Sequence, residues 1–363
     1  MQTMIWLFSV GAITLLGGGL QDLPAQAPHC PPCEFRLSKV VELSSRAGVY
    51  TPSMASMLAR FANGSYVLSP LAVNPHLVLF GPDGQLLTSY DKAGSGPGEF
   101  ESGPWPFVGP GDTLYAVDRQ RLLRFDSDLN PLNTRRMDLP VRSGLAFLSE
   151  GRMVTDGRHR LNPTMVSPVS ILDSNGIILR SLEPIEVQHG VGVTLLTEHS
   201  GGGFWLMHSN DSEIRRRSSE GELEASVEVQ REWFQEWTEF LPGEGITVPP
   251  RPYNSSISEI SPGRLLITTW VPEEGWEPIS SDGSFRPTEI NWSDYYDTII
   301  EAVDARTGEV LAFSREEKAL YLVRGTLDHF HSVREEDDGH IAQEIWKVAL
   351  VSGRERLRSQ CGM

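Results

Sequence analysis

Cysteine is scarce in this chain. Three in 363 residues cannot build a disulfide-dense scaffold, and one CxxC pair is half of what a structural zinc site needs. Cys30 and Cys33 enclose two prolines, and Glu34 stands where a haem-attachment motif requires histidine. In an oxidising compartment a disulfide is the expectation. A bond from Cys30 or Cys33 to Cys361 would tie the two ends of the chain together. Positive charge is also short: 31 Lys and Arg against 48 Asp and Glu leave a formal charge of −17. Phosphate backbones require clustered cations, so no nucleic-acid partner is expected. The sole basic run, Arg215-Arg216-Arg217, falls in a predicted strand where acids are expected alongside it. There is no GxSxG elbow, no Walker loop, no dinucleotide fingerprint and no HExxH. Residues 94–98 are rich in glycine but lead toward a strand rather than a helix, so they do not fit a phosphate cradle.

Long apolar runs are absent beyond residues 4–20. That run, followed by Ala25-Gln26-Ala27, predicts a signal peptide over residues 1–27, although no Lys or Arg precedes it. An uncleaved N-terminal anchor is the alternative. Either way residues 28–363 are expected to be exported, to the periplasm, the cell surface or the medium.

Turn residues, in contrast, are plentiful: 34 Gly and 25 Pro. Residues 60–100 contain two hairpins, one turning at Asn63-Gly64 and one at Pro82-Asp83-Gly84, between apolar and aromatic runs. Such dipeptides tolerate the positive φ that tight hairpin turns demand. The first hairpin returns at residues 107–117, 145–155, 195–207, 257–270 and 329–345. The second returns at 122–135, 170–182, 213–229 and 298–313. A recurring four-stranded antiparallel unit predicts a β-propeller of six blades. The last blade, about residues 326–352, is short of a fourth strand, and residues 36–44 supply a suitable one. Closure of this kind removes free sheet edges. The Pro82-Asp83-Gly84 turn and the run from Gly94 to Phe100 resemble the exported six-bladed propellers related to NHL-repeat proteins. The resemblance implies an all-β propeller and an exported setting. It implies no single activity, because the fold carries binders, scaffolds and enzymes.

Strand direction alternates, so connections sort by parity. Turns between strands 1 and 2 and between 3 and 4 share one face and are short. Links from 2 to 3, and from 4 to the next blade, share the other and hold the insertions at 91–106, 157–168, 230–254 and 271–296. Long loops on a rigid scaffold are where binding concentrates. Residues 230–240 place Trp233, Phe234, Trp237 and Phe240 at helical spacing, predicting a short helix over the junction of blades four and five, or a lid. Trp237 and Trp276 are therefore ligand-contact candidates on this face. Glu99, Asp118, Asp156 and Asn210 recur near the ends of second strands or their links, and such a ring of oxygens would suit Ca²⁺. The alternative is local capping of turns. His329 and His331 alternate on a strand and are expected as a buried or channel-lining pair. His159, between Arg158 and Arg160, is an anion-contact candidate. The expected function is a non-catalytic binding or scaffold propeller, a monomer, that recognises a protein or small polar ligand on the long-loop face. A Ca²⁺-assisted, lactonase-like hydrolase at the channel is the alternative.

Overall fold

The computed structural model describes residues 33–44, 56–70, 76–141, 144–186, 192–238, 247–278, 291–337 and 340–352. Strand β1 (Cys33–Ser44) precedes the first blade, which is β2 (Ser56–Arg60), β3 (Tyr66–Pro70), β4 (Leu77–Phe80) and β5 (Leu86–Tyr90). Blade two is β6 (Trp105–Gly109), β7 (Thr113–Asp118), β8 (Arg121–Phe125) and β9 (Pro131–Arg136). Blade three is β10 (Leu145–Phe147), β11 (Met153–Arg160), β12 (Met165–Leu172) and β13 (Ile178–Leu182), with the short β14 (Ile185–Glu186) added beside β12. Blade four is β15 (Thr194–Glu198), β16 (Phe204–His208), β17 (Glu213–Arg217) and β18 (Leu223–Glu228). Blade five is β19 (Tyr253–Ser261), β20 (Arg264–Pro272), β21 (Tyr296–Asp304) and β22 (Val310–Glu316). Blade six is β23 (Tyr321–Leu322), β24 (His329–Glu335) and β25 (Ile341–Ser352), completed by β1. Six antiparallel sheets thus form a six-bladed β-propeller whose last blade is closed by the N-terminal strand.

Burial explains the sequence pattern of each strand. Second and third strands are covered on both faces by neighbouring blades. They therefore read as continuous apolar runs, as in β3, β4 and β16, where every residue is buried. Fourth strands cover the rim and alternate, as in β18. The cores lie between blades rather than within them. Leu79, Phe100 and Phe125 join blades one and two, and Phe107, Leu122 and Leu172 join two and three. Ile171 and Phe204 join three and four, Met207 and Leu265 four and five, Ile300 and Phe330 five and six. Leu43 and Ile345 close the ring against Leu58 and Phe80 of blade one. The blade-one turn also abuts this seam. Gly84 has φ 81°, and a Cβ there would sit 2.4 Å from the Glu42 carbonyl oxygen, so no larger residue fits.

Three sequence expectations are corrected. In blade six, residues 329–345 form the hairpin between strands 2 and 3, not between 1 and 2. Residues 346–350 continue β25 rather than forming a separate strand. The first strand is two residues long and carries no periodicity, so the sequence signal at 338–339, itself outside the described residues, does not mark the hairpin between strands 1 and 2. In blade three, the insertion expected at 157–168 is mostly strand: β11 and β12 continue past a bulge between Asp156 and His159, and only residues 161–164 lie between them. Finally, residues 230–238 contain no helix. Their backbone is claimed by neighbouring blades instead: the Gln230 amide donates to the Gly308 carbonyl and the Trp237 amide to Asn210.

Cys33 is disulfide-bonded. Cys30 and Cys361 both lie outside the described residues, as do the predicted signal peptide and Phe240. Among the described residues no helix is long and apolar enough to cross a membrane.

Candidate functional site

The oxygens expected to form a ring have separate tasks. Asp118, at the end of β7, is fully buried. Its carboxylate accepts from the Glu101 and Ser102 amides at 2.6 and 3.1 Å, from the Ser102 hydroxyl, and from Arg121. Asp156, one blade on, accepts from the Gly144 amide at 2.7 Å. Each carboxylate clamps the segment that leads into the first strand of its own blade. Asn210 occupies the matching place in blade four, where a Cβ on Gly192 would lie 2.5 Å from its Oδ1. Its side-chain amide donates to the Trp237 carbonyl. Glu99 bonds the Gly96 amide at 2.8 Å inside its own loop. Trp237 is buried, donates from Nε1 to the Pro252 carbonyl, and carries the Arg251 guanidinium 4.7 Å from its ring. Trp276 is half-buried in a turn closed by the Glu273 carbonyl. His159 bonds Ser181 across blade three, and Arg160 bonds the Asn162 and Pro163 carbonyls. Among the described residues no three His, Cys, Asp or Glu side chains converge as metal ligands.

What does converge is a line of aromatic and basic groups at the long-loop end of blades five and six. Tyr253 opens β19, Trp270 lies near the end of β20, Tyr296 opens β21 and Tyr321 opens β23, so strand polarity brings all four to the long-loop face of the ring. Trp270 meets Tyr321 edge-on at 4.6 Å and Tyr253 at 5.5 Å, and its Nε1 donates to the Leu320 carbonyl. Trp292 approaches Tyr296 at 5.8 Å from the 271–296 insertion. Burial, reinforced by the neighbouring Tyr296, keeps the Tyr253 and Tyr321 phenols protonated well beyond the ordinary range. His331 stacks on Tyr321 at 5.0 Å and bonds Gln343 through Nδ1. Burial pushes its imidazole down to about 4; the Gln343 bond opposes this and the Arg324 charge adds to it. His331 is thus a neutral hydrogen-bonding group at physiological pH.

Arg324 extends the line to the opposite blades. Its backbone pairs with blade one through the Leu58 carbonyl and the Arg60 amide. Its guanidinium reaches past that blade to lie 4.9 Å from the Trp105 ring and 4.3 Å from Phe107, both on blade two. Burial pushes its pKa down to about 10, and the Asp156 charge partly restores it. Phenols, imidazole, guanidinium and carboxylate therefore run from blade five to blade three across the channel. The burial of His329 and His331 was visible in the alternation of their strand. Arg324, Tyr253 and Tyr321 were not, because no local pattern marks a residue whose partners sit two blades away.

A second charged cluster braces the link between blades three and four. Glu183, at φ 54°, accepts from His208, Arg215 and Arg217 at 3.1, 3.0 and 2.6 Å. This confirms the acids expected beside the 215–217 run. Burial opposes ionisation of Glu183, but His208 and the two arginines override it and hold the carboxyl down at about 2. A depressed carboxylate stabilises the fold above its unfolded pKa of about 4.5, and that contribution is lost as pH falls toward 2. Glu183→Gln is therefore expected to lower unfolding stability by about 3 kcal/mol at pH 7, with the deficit closing as pH falls from about 4.5 toward 2. Denaturant titrations across that window measure it; a deficit independent of pH would show that packing, not charge, is responsible.

No family model and no curated protein matches the chain. Solved structures similar to it include virginiamycin B lyase from Staphylococcus aureus, at 12% identity over 84% of this chain and 83% of that one, TM-score 0.43. A gluconolactonase from Xanthomonas campestris is 11% identical over 82% and 87%, TM-score 0.43. The Pan2 WD40 domain of Neurospora crassa is 8% identical over 88% and 97%, TM-score 0.43. Likeness at this level carries no argument about activity. The class is a six-bladed β-propeller, established by its own sheets.

Proposed function

We propose that this chain is an exported, non-catalytic propeller that binds a small polar organic ligand of the glycan type at the long-loop mouth of its channel. The observation that carries the reading is the line Tyr253–Trp270–Tyr321–His331–Arg324, which combines aromatic faces with hydrogen-bonding tips from separate blades. Aromatic walls with a few convergent polar groups are the ordinary composition of small-molecule sites. The Ca²⁺-assisted hydrolase draws less support. Asp118, Asp156 and Glu99 direct their oxygens at the chain's own amides. The disulfide at Cys33 supports an oxidising compartment, and with it export.

Tryptophan fluorescence titrations with methyl α-glucoside, cellobiose and chitobiose test the site. Saturable quenching by at least one is expected. Tyr321→Phe and Trp292→Ala should each weaken it about fivefold or more with the unfolding midpoint nearly unchanged, on the order of 1 kcal/mol per lost contact. Saturable binding that survives both substitutions would place the ligand elsewhere. Failure of all three probes to bind would remove the glycan class. Stoichiometric Ca²⁺ in the purified protein, with loss of stability on chelation, would favour the hydrolase instead.

A further inference from the structure

The opposite mouth of the channel carries a second, unrelated arrangement. A cavity of about 260 Å³ opens on the short-turn face between blades five, six and one, lined by Arg60, Ile260, Thr326, Leu327, Asp328 and His329, with Gly325 beside them. We infer that it binds a small organic carboxylate.

Charge distribution is the first argument. Arg60 ends β2 with its guanidinium 5.6 Å from the Tyr66 ring. Its Nε is buried and bonds nothing, and among the described residues its guanidinium meets no carboxylate. This is notable in a chain with 17 more acids than bases (48 against 31). Arg121, Arg215 and Arg231 each meet an acid. The one carboxylate lining the cavity is already committed: Asp328 accepts from His329 Nδ1 at 2.7 Å and lies 3.6 Å from Lys347. Among the residues that line the cavity, the charge without an oppositely charged partner is the Arg60 guanidinium.

Preorganisation is the second. The Arg60 amide bonds the Arg324 carbonyl at 2.9 Å, locking blade one to the blade-six turn. Gly325 has φ 79°, and a Cβ there would fall 2.7 Å from the Arg60 carbonyl oxygen and 3.0 Å from Val108. Glycine is required for the two segments to approach this closely. Asp328, by holding Nδ1, orients the His329 ring and leaves Nε2 as its remaining polar atom.

Size and polarity define the ligand. Water occupies about 30 Å³ in the liquid, so the cavity corresponds to roughly nine waters, room for one carboxylate on a ring or short chain. The guanidinium fork matches the two oxygens of a carboxylate. Ile260 and Leu327, the latter 47% exposed, offer apolar surface that inorganic phosphate would leave uncovered.

The test uses the full chain, with benzoate as probe and benzyl alcohol and inorganic phosphate as controls, read by amide chemical shifts and calorimetry. Benzoate should shift the amides of residues 325–329 and leave those of Tyr321 and His331 in place. Arg60→Gln should weaken it at least tenfold, and Arg60→Lys less, since a point charge cannot fork. Leu327→Trp, which fills the cavity and keeps Arg60, should also abolish binding, and decides the matter if Arg60→Gln fails to fold. The inference is overturned if benzoate binds both variants as tightly as the parent. Equal binding of benzyl alcohol or phosphate, or shifts confined to the long-loop mouth, would also overturn it. Failure here leaves the long-loop site intact, because the two mouths report on different amides.

Discussion

A chain lacking residues 28–45 is expected to show no cooperative unfolding transition. Strand β1 pairs with β25 along its whole length, from Cys33 opposite Ser352 to Ser44 opposite Ala342, with one irregularity between Lys39 and Val41. It buries Cys33 and Leu43 and packs Phe35, Leu37 and Val41 into three inter-blade clusters. Burying a large apolar side chain contributes roughly 1.5–3 kcal/mol. Leu43 is fully buried and Phe35, Leu37 and Val41 are half-buried, so the four together contribute roughly 4–7 kcal/mol, comparable with the lower part of the roughly 5–15 kcal/mol that stabilises a whole domain. Removal would also expose β25 as a long unpaired edge, a template for aggregation. Thermal melting followed by circular dichroism measures the outcome. A transition unchanged from that of the full chain would contradict closure by the N-terminal strand.

Arg231→Leu is expected to destabilise the fold by roughly 3–5 kcal/mol, the usual cost of stranding one member of a buried ion pair. Arg231 and Glu301 meet at 3.0 Å with side chains each 1% exposed. The guanidinium lies 4.1 Å from the Phe234 ring and also donates to Thr269 and to the Asp211 carbonyl. The pair pins residues 230–238 onto the junction of blades four and five. Burial already raises the Glu301 carboxyl, and Arg231 opposes that rise. Without Arg231 the carboxyl rises further, so the deficit should shrink as pH is lowered and Glu301 takes up a proton. Arg231→Leu combined with Glu301→Leu should recover most of the loss, because the uncompensated charge is gone. Denaturant unfolding of the two single variants and the double variant gives the coupling. Additive losses in the double variant would mean that the segment is held by its aromatic contacts rather than by the ion pair.

The same segment marks the boundary of sequence reading. The spacing of Trp233, Phe234 and Trp237 gave the right destination, the blade-four/five junction, and the wrong conformation. Helical periodicity presumes one buried stripe. Here Arg231 is buried too, Trp237 is anchored to Asn210 and Pro252, and the amides that would close helical turns bond other blades. Asp118 and Asp156 take equivalent places in successive blades, each bonding the segment that enters its own blade. Their spacing alone did not say whether the oxygens face the channel or the incoming strand. Both bond backbone amides of the incoming segment, because a buried link has polar groups that need partners.

Turn chemistry and strand periodicity, both local, determined the number of blades, the closing strand and the face that holds the long loops. Local signals survive in one dimension because hairpin turns demand particular residues and doubly covered strands demand apolar runs. Tertiary structure alone decided what meets at the two mouths of the channel. Tyr321 and Arg324 come from a two-residue strand and the turn after it, Trp105 from blade two, and Arg60 acquires its cavity from blades five and six. Those groups become neighbours only because a closed ring carries residues hundreds of positions apart to one axis, and nothing in the local sequence encodes that distance.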